Sequence, residues 1–114
     1  MFPKKYRAGR ADIGETMKTG LNIPGTFLYA KISRKDSDRT SFAIVVPKRV
    51  EKTSVGRHGV KRKIRGFVEE KLPDLNPKTK KTMVFFVKDS KNPSFLAEAR
   101  KDMENIMRKA NLLV

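Results

Sequence analysis

The spacing of apolar positions changes several times along the chain, and each spacing predicts an element. Val60, Ile64, Phe67 and Val68 recur at i, i+4, i+7 and i+8, one stripe of a helix that runs from about residue 57 to residue 72, where Pro73 stops it. Leu96, Ala99, Met103, Ile106, Met107 and Ala110 form a second stripe. Asn92 and Pro93 are read as its N-cap and first helical residue, Arg100, Glu104 and Arg108 as i,i+4 pairs outside, and residue 111 as its approximate end. Ile13 and Met17 lie four apart and predict a short helix from residue 11 or 12 to 19, ended by Gly20 and weakened by Gly14. The period shortens to two over residues 26–33 (TFLYAKIS), which places Phe27, Tyr29 and Lys31 on one strand face and Leu28, Ala30 and Ile32 on the other. Residues 40–46 (TSFAIVV) and 82–87 (TMVFFV) are nearly continuous in apolar side chains, as in strands buried on both faces.

The connections are equally legible. Pro24 and Gly25 mark residues 22–25 as a turn, and Pro47 ends the second strand. Within residues 34–39, Lys35-Asp36-Ser37-Asp38 has hairpin-loop chemistry. A polar linker around Pro77 ends in Lys78, Lys80 and Lys81, and residues 89–92 form a loop. The order is helix, two or more strands, helix, strand, helix. It predicts an α/β (α+β) two-layer sandwich: a small mixed sheet with a basic crossover helix and N- and C-terminal helices packed against it. At 114 residues the chain reads as a single domain, with residues 1–10 as a flexible basic arm (Lys4, Lys5, Arg7, Arg10).

Charge narrows the function. There are 27 Lys and Arg against 12 Asp and Glu, a formal charge of +15, and a field of that sign draws polyanions. A membrane-surface binder needs a wide apolar helix face beside a basic one. The stripe at Val60–Val68 is only core-sized, so nucleic acid is the expected partner and a membrane is not. With no cysteine, no apolar span and no apolar signal core, the chain is expected to be cytoplasmic. The charge concentrates in residues 48–66, where Lys48, Arg49, Lys52, Arg57, Lys61, Arg62, Lys63 and Arg65 face a single acid, Glu51. Ordinary solvated helix faces mix signs, whereas like charges four apart repel; this face is therefore expected to meet phosphates.

Catalytic chemistry is thin. His58 is the only histidine; its cationic neighbours disfavour its protonated form, and no carboxylate stands by to orient it. Gly56 and Gly59 match no phosphate-loop spacing and are read as a turn or a close approach. A protein-only nuclease would have to use Asp36, Asp38 or Glu51. A DNA-binding module would need a helix with Asn, Gln and Arg aimed at base edges, which is not evident.

Lys48-Arg49-Val50 followed by Arg57-His58-Gly59-Val60-Lys61-Arg62-Lys63-Ile64-Arg65 resembles the signature of the bacterial ribonuclease P protein subunit. The family's basic arm, short helix, strands and closing helix also follow in order. The family's Arg-Asn-Arg stands here as Arg57-His58-Gly59, the glutamate after Arg65 is Gly66, and Ile13 and Met17 replace two helix phenylalanines, which marks a divergent member. The resemblance implies a non-catalytic protein cofactor of an RNA enzyme that removes 5′ leaders from precursor tRNA by phosphodiester hydrolysis. No cofactor is then expected on the protein itself, and Mg2+ is expected to serve the RNA-catalysed reaction. Lys48, Arg49, Lys52, Arg57, His58, Lys61, Arg62 and Arg65 would dock on ribonuclease P RNA. Ile13, Met17, Phe27 and Tyr29 would line a cleft for the precursor-tRNA leader, although either aromatic fits the core as well. A monomer within a ribonucleoprotein and a left-handed crossover are further family expectations. The alternative is a ribosomal or other basic RNA-binding protein with no associated enzymatic activity.

Overall fold

The structure, a computed structural model, describes residues 4–113. Four strands make one sheet in the order β1-β2-β4-β3: β1 Leu21–Ile23, β2 Leu28–Ile32, β3 Ser41–Val45 and β4 Thr82–Val87. The helices are α1 Arg10–Thr19, α2 Ser54–Lys71 and α3 Phe95–Lys109. β4 pairs antiparallel with β2 and parallel with β3, so α2 lies in the crossover between two parallel neighbours.

The strand order corrects the hairpin expected between the second and third strands. All six residues of β4 are buried, and a strand apolar on both faces is most stable away from an edge. It inserts between β2 and β3, and the 33–40 connection crosses its N-terminal end instead of turning tightly. The Ser33 and Ser41 amides donate to the Thr82 and Lys81 carbonyls, and the Thr82 amide donates to Ser33 Oγ at 3.1 Å. β3 is in turn an edge strand and not a doubly buried one. Ser41 and Phe42 are buried, while Ala43, Ile44 and Val45 are half-buried. The end of the basic arm lies along that edge: a 3-10 turn spans Lys4–Tyr6, and the Ala8 amide donates to the Phe42 carbonyl at 3.0 Å. The expected turn at residues 22–25 is shorter, because Leu21, Asn22 and Ile23 pair with Ile32, Lys31 and Ala30.

Alternation divides the sheet. Leu28, Ala30 and Ile32 join Met83, Phe85, Val87 and Phe42 on the face covered by α2 and α3, whose Ile64, Val68, Ala99, Met103, Ile106 and Met107 complete the core. α1 crosses β4 and β2 on the opposite face, where Lys31 Nζ donates to the Met17 carbonyl at 3.1 Å. Thr16, not Met17, is the buried residue of α1; Met17 is 42% exposed at its rim.

α2 begins at Ser54, three residues before its expected start at about residue 57. Thr53 caps it, its Oγ1 accepting from the Gly56 amide at 2.9 Å. Gly56 and Gly59 are therefore helical, and neither forms a turn. At Gly56 a Cβ would lie 2.5 Å from Glu51 Oε1, so a side chain there would displace the Glu51 carboxylate from the helix start. α3 starts at Phe95 after a turn in which Asn92 Oδ1 accepts from the Ser94 amide, so Pro93 precedes the helix. Phe95 is buried where Leu96 was expected, and Leu96 is exposed. Of the expected outer pairs, Arg108 reaches Glu104 at 2.9 Å, whereas Arg100 reaches across to Glu70 of α2. The Arg108 bond, and with it Lys71 from α2 at 3.4 Å, holds the Glu104 carboxyl below its ordinary value of 4.5.

Asp102 of α3 is 7% exposed and accepts from three successive amides, Thr26 at 3.1 Å, Phe27 at 2.7 Å and Leu28 at 3.1 Å. Its carboxylate closes the β1–β2 turn. Gly25 makes room for this, since a Cβ there would meet the Leu28 carbonyl oxygen at 2.2 Å.

Candidate nucleic-acid interface

The basic residues of the central segment fall into three structural groups. Lys48, Arg49 and Lys52 lie exposed in the loop from β3 to α2. That loop is held by the Val50 and Glu51 amides, which both donate to the Pro47 carbonyl, and by Val50, which is buried. Arg57 is turned back into the same loop. Its guanidinium donates to the carbonyls of Glu51 and Lys52 and to Ser54 Oγ, at 3.0–3.2 Å, so it fixes how α2 leaves the loop. The remaining cations follow the helix. His58, Lys61 and Arg65 form one stripe at i, i+3 and i+7, while Arg62 points away from the core stripe and is exposed.

The sheet face under α1 is the second surface. Register aligns Tyr29, Phe86 and Val45 in one cross-strand row and Lys31, Val84 and Ala43 in the next. The Tyr29 and Phe86 rings stack with centroids 4.9 Å apart and planes 8° from parallel. Tyr29 and Val45 are half-buried, as are Lys31 and Ala43 of the next row, while Phe86 is only 7% exposed. On α1, Ile13 is half-buried and Met17 is exposed.

Phe27 does not join them, which corrects its assignment to the face of Tyr29. Three consecutive amides turned toward one carboxylate leave residues 26–28 bent, and alternation begins only at Leu28. The Phe27 ring packs edge-on against Phe95 of α3, 6.3 Å between centroids, on the core side. Phe86, stacked on Tyr29 and only 7% exposed, is the second aromatic of the face that carries Tyr29. Strict alternation within Thr82–Val87 would have found it, with Phe85 inward and Phe86 outward.

A groove of about 340 Å3 joins the two surfaces at the β3 edge. It is lined by Ile13 of α1, by Phe42, Ala43 and Ile44 of β3, by His58, Lys61 and Arg65 of α2, and by Arg7 and Ala8 of the N-terminal segment. The structure thus brings Ile13 together with three of the cations expected on the other surface. Arg7 was not singled out as a site residue from sequence.

A larger hollow of about 720 Å3 lies between α1 and the 33–39 connection, and its lining mixes Asp12, Glu15, Asp36 and Asp38 with Arg34, Lys35 and Arg39. Asp36 pairs with Lys81 at 3.3 Å, and Glu51 is elsewhere, 3.8 Å from Lys91. Among the described residues no three His, Cys, Asp or Glu side chains cluster as metal ligands, and no helix is long and apolar enough to cross a membrane.

Comparison with known proteins agrees with this architecture. Residues 2–111 match the family described as Ribonuclease P. The fold is similar to that of the RNase P protein of Staphylococcus aureus, with a TM-score of 0.76 at 17% identity over 97% of this chain and 100% of that one. It is also similar to the RNase P protein of Thermotoga maritima, with a TM-score of 0.69 at 15% identity over 90% of this chain and 96% of that one. No curated protein matches by sequence.

Proposed function

Since the chain belongs to the ribonuclease P protein family, a component of an endoribonuclease that works with ribonuclease P RNA, we propose the following division of labour. The RNA carries the hydrolytic chemistry, served by Mg2+, and this polypeptide binds and positions without supplying a catalytic group. The cations of the β3–α2 loop and of α2 (Lys48, Arg49, Lys52, His58, Lys61, Arg62, Arg65), all exposed but the half-buried Lys61 and Arg65, dock on the folded RNA through its phosphates. Arg57 supports them from behind by fixing the helix start. The precursor-tRNA 5′ leader runs over the sheet face past Tyr29, whose ring is backed by the buried Phe86, between Ile13 and Met17 on one side and the α2 cations on the other. Stacking on such an aromatic contributes about 1–3 kcal/mol per base. One protomer serves one RNA, in the cytoplasm.

The observation that carries this reading is the groove in which the apolar edge of the sheet meets the His58, Lys61 and Arg65 stripe with no carboxylate between them. A strand can lay bases on the sheet and pass its backbone to α2 without crossing negative charge.

The test is cleavage of precursor tRNA at low magnesium by a bacterial ribonuclease P RNA alone, by this protein alone, and by both. Cleavage at the mature 5′ end only with both present is expected. Cleavage by the polypeptide alone would transfer the chemistry to the protein and overturn the proposal, as would no stimulation of the source organism's own ribonuclease P RNA.

A further inference from the structure

The β3-edge groove has a composition that suits one ligand group. Four of its lining side chains carry or can acquire positive charge: Arg7 from the N-terminal segment and His58, Lys61 and Arg65 from α2. Its floor is aliphatic, from Ile13, Ala43 and Ile44. A backbone donor is directed there too. Phe42 turns its carbonyl outward to the Ala8 amide, and alternate residues of a strand direct their backbone groups to the same side. The Ile44 N–H therefore lies on the same open edge. Cations and an amide around an aliphatic floor fit one nucleotide, its sugar on the floor and its phosphate among the donors.

His58 adds a property that the asparagine of the resembling motif could not have. Histidine changes charge between about pH 5 and 8. On its own helix the ring is neighboured by Arg57, Lys61, Arg62 and Arg65, and Arg7 faces it from the N-terminal segment; α1 and β3 present only Ile13, Phe42, Ala43 and Ile44 to the groove. An anion seated in the groove favours the protonated ring.

We propose that this groove binds one backbone phosphate of an RNA strand with His58 engaged as imidazolium, so that RNA binding takes up a proton. The inference rests on the RNA-binding reading above and adds to it the ligand group and the proton. Affinity then rises as pH falls through the histidine range, and the proton is released again when the strand leaves.

The experiment measures affinity from pH 6 to pH 8 at constant ionic strength for the whole chain and its His58→Asn variant. Two probes are used, a bacterial ribonuclease P RNA and a short single-stranded RNA. The wild-type chain is expected to bind at least one probe about tenfold tighter at pH 6 than at pH 8, one unit of proton linkage. His58→Asn should lose most of that ratio, which separates His58 from protonation of the RNA itself. The probe that shows the effect identifies whose phosphate occupies the groove. As the only histidine, His58 also gives a single ring Cε1–H resonance, whose midpoint should move up by about one pH unit when the responsive strand is bound. A flat wild-type profile with both probes, or an unchanged profile in His58→Asn, overturns the proton-linked site while leaving the cofactor role standing. No binding to either RNA at any pH overturns both.

Discussion

Asp102 stands on a mostly polar turn of α3 and in sequence looks like any solvent-facing acid. In the structure it is the acceptor for three amides that have no strand partner, at the point where the chain bends from the Pro24-Gly25 turn into β2. Hydrogen bonds to a charged acceptor are worth about 1.5–3 kcal/mol, and a buried donor left unpaired costs about as much. Asp102→Ala should therefore destabilise the fold by about 3 kcal/mol in urea unfolding, and Asp102→Asn, which keeps one acceptor oxygen, by less. A change within about 0.5 kcal/mol for the alanine variant would mean that water satisfies those amides. The same carboxylate explains why the aromatic pair of the sheet was only half legible. Alternation assigns Phe27 and Tyr29 to one face, but alternation presupposes an extended chain, and the amides gathered on Asp102 bend it at Phe27. Tyr29 lies within the strand and is where period two puts it.

Elements were legible where burial and pattern coincide. Thr82–Val87 is found residue for residue because an uninterrupted apolar run between polar linkers admits little else. β1 was missed because Leu21 and Asn22 are exposed and three residues show no period. The first turn of α2 was missed because Val55 is 84% exposed and marks no stripe. Strand order was not legible at all: loop chemistry reports that a chain can turn, and not which strand it will lie beside. On α2 the structure separates cations that sequence groups together. Lys61→Ala and Arg62→Ala should each lower the log–log salt dependence of RNA affinity by about one unit, the share of one phosphate contact. Arg57→Ala should instead lower thermal stability and leave the slope nearly unchanged, because its guanidinium is spent on Glu51, Lys52 and Ser54. Unchanged slopes for both Lys61 and Arg62 would reduce their face to a solvated surface.

For the molecule as a whole, 27 basic against 12 acidic side chains in a body with a radius of gyration of 13.1 Å is a concentrated like charge. Such self-repulsion destabilises the compact state, and added salt screens it, with a Debye length falling from about 30 Å at 0.01 M to about 8 Å at 0.15 M. Raising salt over that range should lift the melting temperature of the free protein by a few degrees, since about 1 kcal/mol corresponds to about 4–8 °C in a domain near this size. Over the same range RNA affinity should fall. Calorimetry and binding on one buffer series check the opposite signs; a melting temperature that falls with salt would show that local ion pairs such as Glu70–Arg100 outweigh the net field.

The central place of β4 also governs the order in which the chain can assemble. It is the last strand to be synthesised, yet in the strand order it is what joins the β1–β2 pair to β3. A nascent chain that has not yet delivered Val87 holds the β1–β2 hairpin and the cationic α2 with no common floor beneath them, and Asp102 has still to emerge to close the first turn. Sheet formation must then span long loops in a single late step, the kind of non-local pairing that slows folding. During translation, polyanions can therefore meet the basic helix before its own fold does.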